Sequence, residues 1–321
     1  MPVISSQISC QDTVGSWKAR WDFGRMSYIV PPGLYALGSP DENSHVVVTA
    51  NYKMTYDLVR KALAGRDLWL LVLETYGINV WCAAGKGTFG TGELVRRVGA
   101  VRLSEIVTHR ELILPLFGAA GVKGIEILRR CGFKVRFSTI RIEDLPEFLD
   151  RGKASGNVRE LTFTAYERVI LTPIELQTAL RKAGPFLPLL FLAAGFFNGS
   201  FSLHHAVLAL LAYFAAVISG AFISPLLLPW LPSPAFSIKG GVTGLVIGSF
   251  FSYLAGVVSP PLFAATTLMI AAFSSFLMLN FTGSTPYTSR SGVKKEMRWA
   301  LPAQALCLVT GFITILIWRF L

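Results

Sequence analysis

Apolar positions fall into two regimes along the chain. Through roughly residues 1–183 short apolar runs alternate with amphipathic stretches, and beyond them the runs lengthen toward membrane-spanning size. In the first regime Val46-Val47-Val48 and the LWLLVL run at 68–73 predict buried strands, with a helix-like TYDLVRKALAGR at 55–66 between them. LILPLF at 112–117 predicts a further strand, followed by helical VKGIEILRRCGF, strand-like KVRFSTI and helical EDLPEFLD. Such alternation argues for a parallel sheet with helices on its faces, where ligands bind at loops beyond the strand C-termini. Thr172-Pro173-Ile174-Glu175 predicts a helix start, with Thr172 as N-cap, Pro173 in the first turn and Glu175 at the third position. Gly184 predicts its C-cap. Residues 171–184 are therefore expected as an amphipathic juxtamembrane helix carrying Arg181 and Lys182 to an anionic leaflet surface.

A hydrocarbon core needs about 20 apolar residues as helix. Candidate spans lie at 185–198, 203–226, 241–258, 261–280 and 300–318; the first is short and holds Pro188, and the third is rich in Gly and Ser, which suits close helix packing in lipid. Basic residues sit in alternate connections: Arg181 and Lys182, then Lys239, then Arg290, Lys294, Lys295 and Arg298, with none at 199–202 or 259–260. The positive-inside rule then predicts five spans with the soluble half in the cytosol and the C-terminus outside, Arg319 being a mild exception. The opening stretch 1–12 lacks a basic segment followed by an apolar one, so no cleaved signal is expected.

Composition agrees with this division. Charged residues make up 15% and hydrophobic residues 52%, and 185–280 holds a single charged residue, Lys239. The net charge of +11 is spread over the soluble half and the loops, which fits a cytoplasmic-side membrane protein better than a nucleic-acid binder. Asp, Glu, Lys and Arg are absent from all five spans, and His204 and His205 fall near an outer edge, so an anchor or docking platform is expected rather than a proton-coupled pump. The four cysteines, Cys10, Cys82, Cys131 and Cys307, show no CxxC spacing, so no zinc or iron–sulfur motif is present.

The stretch with chemistry to offer is Gly77-Ile78-Asn79-Val80-Trp81-Cys82-Ala83-Ala84-Gly85-Lys86-Gly87, directly after the 68–73 strand. It is not a phosphate loop, because Val80 stands where the first Gly is required and Gly87 where Ser or Thr is required. Gly85, Gly87, Gly90 and Gly92 do not make a dinucleotide fingerprint either. What remains is a thiol on a short turn. With Asn79 as cap, Cys82 is the third helical residue, where backbone N–H groups and Lys86 favour a thiolate. Ala83, Ala84 and Gly85 are small enough for a large flat ligand to approach. A lone thiolate here suits axial ligation of a soft metal held by its own macrocycle; the alternative is a buried structural cysteine.

NVWCAAGK at 79–86 resembles the signature of the mercury-methylating corrinoid proteins. Residues 32–38 (PGLYALG), 48–54 (VTANYKM), 109–115 (HRELILP) and 280–287 (NFTGSTPY) resemble that family too, as does the order of a soluble part before five spans. Several of these segments also resemble the corrinoid iron–sulfur subunit of the acetyl-CoA pathway, which typically carries a cluster-binding cysteine motif and lacks a cysteine at the Cys82 position. Here Cys82 is present and the cluster motif is missing.

The resemblance implies a Rossmann-like corrinoid-binding α/β domain at 1–170 and an all-α transmembrane bundle of about five helices at 185–321. It implies a methyltransferase in which the Cys82 thiolate is the lower axial ligand of cobalt in a cobamide, with methyl passing from the opposite face to Hg(II). Asn79, Val80, Trp81, Ala83, Ala84, Gly85 and Lys86 would shape the cofactor turn, and Thr49 and Asn51 would make a second contact. His109 is open between a cofactor neighbour and a structural histidine. The resemblance also implies a small ferredoxin-like reductant with two 4Fe–4S clusters, an upstream methyl donor such as a methyl-tetrahydrofolate-dependent methyltransferase, and an anaerobic setting. The basic stretch 290–298 would dock an acidic ferredoxin or serve only as the positive-inside signal. Two other classes stay open: a corrinoid methyl carrier of one-carbon metabolism, and a transporter or sensor with a cytosolic nucleotide-binding domain.

Overall fold

The computed structural model describes residues 1–153, 162–197, 200–285 and 287–320. Pro286 and the 199 end of the 199–202 connection lie outside the described residues, as do the side chains of Arg290 and Arg319. The chain divides into two compact units, Met1–Leu161 and Thr162–Leu321.

The first unit is mixed α/β. In chain order it contains β1 (Val3–Ile4), α1 (Cys10–Arg20), β2 (Gly33–Leu37), β3 (Val46–Ala50), α2 (Lys53–Ala62), β4 (Leu68–Leu73), α3 (Val80–Lys86), α4 (Thr91–Ala100) and α5 (Leu103–Ile106). Then follow β5 (Glu111–Leu114), α6 (Gly124–Cys131), β6 (Lys134–Phe137) and α7 (Leu145–Arg151). The sheet order is β1-β2-β4-β3-β5-β6. The strands β3, β4, β5 and β6 run parallel, whereas β2 pairs antiparallel with β4. The expected parallel sheet is therefore its larger part, with an edge pair running the other way. Residues 33–37 join that pair to the sheet because GLYAL lies across from LWLLVL in register, Gly33 opposite Val72 and Leu37 opposite Leu68, with β1 outside them.

β3 and β4 are buried at every position, as central strands covered on both faces should be. Their side chains alternate. Val46, Val48, Ala50, Leu71 and Leu73 join α3, α4 and α6 in one core, together with Phe89 and Phe133. Val47, Leu70 and Val72 join Tyr56, Val59 and Leu63 of α2 and Phe148 of α7 in the other. The apolar run 112–117 is not one strand: β5 ends at Leu114, and Leu116–Ala120 is a 3-10 turn after Pro115. The α1–α2 pair is tied by charge. Asp12 meets Lys53 at 2.5 Å and Arg60 at 2.7 Å, and Asp57 meets both cations as well.

In the second unit α8 (Ala165–Ala183) is one helix that starts earlier than its sequence predicts. Two Thr-x-x-Glu patterns lie eight residues apart, and Thr164 with Glu167 makes the reciprocal capping box. Thr172 is interior, donating back to the Val169 carbonyl, and Pro173 sits within the helix. Gly184 has right-handed backbone angles, so it does not end α8 as a left-handed cap. The next helix, α9 (Leu187–Gly195), has nine residues, too few to cross a bilayer alone, and Phe196–Phe197 begins a small hairpin with Ser200–Phe201.

Then come α10 (Leu203–Leu226), α11 (Phe236–Leu254), α12 (Pro260–Asn280) and α13 (Arg290–Phe320). Three helical stretches, 203–226, 260–284 and 291–318, are long and apolar enough to cross a membrane. In α11, Gly240, Gly244 and Gly248 face α12 so closely that added Cβ atoms would stand 2.5 Å from Met278, 2.6 Å from Ala271 and 3.0 Å from Thr267. Ser274 and Ser275 use that proximity, donating to the Gly240 and Ser237 carbonyls at 2.6 and 2.8 Å. Residues 290–298, expected as a loop, are the first turns of α13, where Lys294, Lys295 and Arg298 are exposed.

Candidate functional site

The loops beyond the C-terminal ends of β3, β4 and β5 converge on α3. β3 is followed by Asn51, β4 by Glu74–Asn79, and β5 by the 116–120 turn, where Phe117 meets Trp81 of α3 at 6.3 Å between ring centroids. β3 and β5 are neighbours, and the chain leaves β3 toward β4 on one side and β5 toward β6 on the other, the arrangement that opens a crevice in α/β sheets.

Asn79 is the N-cap of α3, and its Oδ1 accepts from the Cys82 N–H at 2.9 Å. Val80, Ala83 and Ala84 are buried in the core, whereas Trp81 and Cys82 are half-buried and Gly85 and Lys86 are exposed. The helix thus turns one face inward and presents the thiol on the other, with Gly85 offering bare backbone one turn on. The eight-residue stretch therefore splits. Ala83 and Ala84 are small because they pack inward, not because a ligand approaches them, and Val80 is likewise a core residue.

Burial pushes the Cys82 thiol up from its ordinary value, against the pull of Lys86 and Arg25. The expectation that the turn and Lys86 would favour a thiolate is thus outweighed by desolvation, since α3 has only seven residues and Cys82 lies partly out of water. Arg25 is the contribution the sequence did not reveal. It lies 57 positions before Cys82 in an unpatterned stretch, and its guanidinium packs over the Tyr52 ring at 5.4 Å.

The two residues expected after β3 behave differently from a cofactor contact. Thr49 falls on the Val47 face of the sheet, away from α3, and its buried Oγ1 has no hydrogen-bond partner. Asn51 is fully buried, and both ends of its amide are engaged within the protein. His109 stands just before β5, at the opposite end of the sheet. Its Nε2 lies 2.9 Å from the Ser44 carbonyl and its Nδ1 accepts from the Glu111 N–H, which is the structural histidine of the two alternatives. In the second unit, Ser284 donates to Glu175 at 2.6 Å, so the 280–287 segment is bound to α8.

Around the site charged and apolar side chains mix, with Lys86 and Arg25 near the thiol and Met26 and Ile29 against Gly77. Gly77, with φ +72°, lies against Met26, and Met26, Phe23, Ile29 and Tyr76 are all exposed. Among the described residues no group of three or more His, Cys, Asp or Glu is placed to hold a metal ion. The donor set is one half-buried thiol beside a glycine, with two cations near it. That set fits a metal whose other ligands come with a flat macrocycle, and a corrinoid is such a group.

Residues 24–138 match the family of the CO dehydrogenase/acetyl-CoA synthase delta subunit. The matched stretch runs from before β2 through β6 and includes Cys82. Over 125 residues the chain is 42% identical to the acetyl-CoA decarbonylase/synthase complex subunit gamma of Methanopyrus kandleri, covering 38% of this chain and 26% of that protein. The same subunit of Methanothermobacter thermautotrophicus is 32% identical over 132 residues, covering 40% of this chain and 28% of the relative. The chain spans about a quarter of the length of these relatives. The similarity thus falls on the second of the two families that the sequence resembles, and the residues matched by the family model lie in the first unit.

Proposed function

We propose that this chain is a membrane-anchored corrinoid protein whose Rossmann-like first unit hands a methyl group to Hg(II). The observation that carries the corrinoid reading is the Cys82 thiol, presented outward on an Asn79-capped turn at the converging ends of β3, β4 and β5. When bound, the cobamide supplies a cobalt-held methyl group for transfer. Cys82 is the residue that would hold its cobalt, with Trp81 and Gly85 beside it on α3. Burial raises the Cys82 thiol above its ordinary value, and metal binding would be coupled to loss of its proton. With the Cys82 thiolate as a ligand, the cobamide would supply its methyl group to a soft, thiophilic acceptor, and Hg(II) is one.

The choice of Hg(II) rests on NVWCAAGK and on a chain with a cysteine at 82 but no cluster motif. Electrons would come from a separate ferredoxin-like protein, and Lys294, Lys295 and Arg298 offer it a basic face. A second reading, a methyl carrier of one-carbon metabolism, is supported by the relatives, which are named for acetyl-CoA decarbonylase/synthase. The two separate in one assay. The full-length protein, loaded with methylcobalamin under anoxic conditions, is mixed with Hg(II), and methylmercury is compared with that from free methylcobalamin. Formation faster than from the free cofactor, and lost in Cys82→Ala, supports mercury as acceptor. A loaded protein no faster than free cofactor leaves the carrier reading in place of the mercury one.

A further inference from the structure

We infer that Asn51 is the positioning residue for Cys82, acting through the loop 74–79 without touching the cofactor; this rests on the reading of Cys82 as a cobalt ligand. Ala50 and Leu73 are register partners in parallel strands, so the residues that follow them, Asn51 and Glu74, leave the sheet side by side. The Asn51 N–H still donates to the Leu73 carbonyl at 3.0 Å, which extends the ladder one step past the strands. Beyond that point the loop depends on one carboxamide. Asn51 Oδ1 accepts from the Thr75 N–H at 3.0 Å and the Gly77 N–H at 3.3 Å, and it stands 2.8 Å from the Thr75 hydroxyl, whose one proton it shares with the Ile78 carbonyl. Asn51 Nδ2 donates to Glu74 Oε1 at 2.7 Å, and that oxygen also accepts from the Tyr76 N–H at 2.8 Å.

Three successive backbone N–H groups, at 75, 76 and 77, are thus held by Asn51 directly or by the carboxylate that Asn51 orients. They need such holding because the chain reverses here through two successive left-handed residues, Tyr76 with φ +55° and Gly77 with φ +72°. Thr75 passes the constraint on. Its hydroxyl lies 2.7 Å from the Ile78 carbonyl, and Asn79, the next residue, caps the turn that carries Cys82. Glu74 is anchored from outside by its N–H, which donates to Glu93 at 2.9 Å, and Glu93 pairs with Arg97 at 2.8 Å. A carboxamide is the side chain this place requires, since it must accept on one side and donate to a carboxylate on the other. The amide is fully buried, with its oxygen and its nitrogen both bonded to the 74–77 loop, so its effect on the cofactor passes through the loop.

The test uses the full-length protein as wild type, Asn51→Ala and Thr75→Val, with Cys82→Ala as reference. In cofactor-free protein, amide hydrogen exchange is followed for a peptide covering 74–82 and for peptides in β3 and β4. In protein titrated with cobalamin, the absorption spectrum reports whether a thiolate ligates cobalt. The inference predicts at least about tenfold faster exchange in the 74–82 peptide, strands unchanged, and a smaller thiolate-ligated fraction at equal cobalamin loading. Thr75→Val should move the same two readouts in the same direction, and it carries the test if Asn51→Ala does not fold. Unaltered exchange and an unaltered spectrum in a folded variant would overturn the inference while leaving the role of Cys82 intact. If wild type itself shows no Cys82-dependent thiolate spectrum, the ligand reading fails, and Asn51 is left as a loop anchor with no cofactor to position.

Discussion

Gly77 shows how tightly the site is held at the level of single residues. Its φ of +72° is one that side chains with a Cβ adopt at a cost, and an added Cβ would lie 2.7 Å from the Met26 carbonyl oxygen. Gly77→Ala is expected to destabilise the first unit by about 1–3 kcal/mol, seen as a lower thermal midpoint. An unchanged midpoint would mean that the 75–78 loop is looser than described. Cys82, Asn79 and the cap between them were legible in the sequence, because an Asn three residues before a thiol is a local pattern. Thr49 and Asn51 were legible as positions near the site but not as roles. Which face Thr49 takes follows from strand alternation, and what Asn51 holds follows from the parallel register with β4, and neither is a local property. Arg25 was hidden for the same reason, since it reaches the site from an early segment that shows no pattern of its own.

At the scale of elements the central strands were plain, since β3 and β4 are continuous apolar runs. The strand β2, between β1 and β4, was not, because its place is set by tertiary pairing rather than by a period of its own. The start of α8 was misplaced because two equivalent capping patterns compete, and the tie is broken by the Thr164–Glu167 box. Charge fixes α1 to α2, and this has a pH signature. At Asp12 burial opposes ionisation, but the hydrogen bonds from Lys53, Ser9 and Arg60 outweigh it and hold the carboxyl well below the usual carboxylate range. A carboxyl depressed in the folded state stabilises above its unfolded value of about 4, and that stabilisation is lost as pH falls toward the folded value. Asp12→Asn should therefore lower the thermal midpoint at neutral pH, and the difference from wild type should shrink below about pH 4. A gap between the two proteins that stays constant down to pH 2 would show that Asp12 acts through packing and not through its charge.

For the whole molecule, the division into an α/β part and a helical part was readable from charge density and run length alone. The number of crossings was not, because it turns on the weakest segment. Helix α9 is too short to span, but Tyr213, ten residues into α10, donates to the Ala179 carbonyl near the end of α8. We propose that the three stretches long and apolar enough to cross, 203–226, 260–284 and 291–318, are the crossings, an odd number that puts the C-terminus outside when the first unit is cytosolic. A reporter fused after Leu321 that is active only outside the cytosol should then be active; activity of a cytosolic reporter at the same place would require an even number of crossings.

The central claim is that Cys82 binds cobalt, and its most direct test is spectroscopic. Full-length protein in detergent is titrated with cobalamin under anoxic conditions, and the absorption spectra of wild type, Cys82→Ala and Cys82→His are compared. The account predicts a thiolate-ligated spectrum in wild type, its loss in Cys82→Ala, and a shifted, nitrogen-ligated spectrum in Cys82→His. Retention of the same cobalamin spectrum in Cys82→Ala would contradict it.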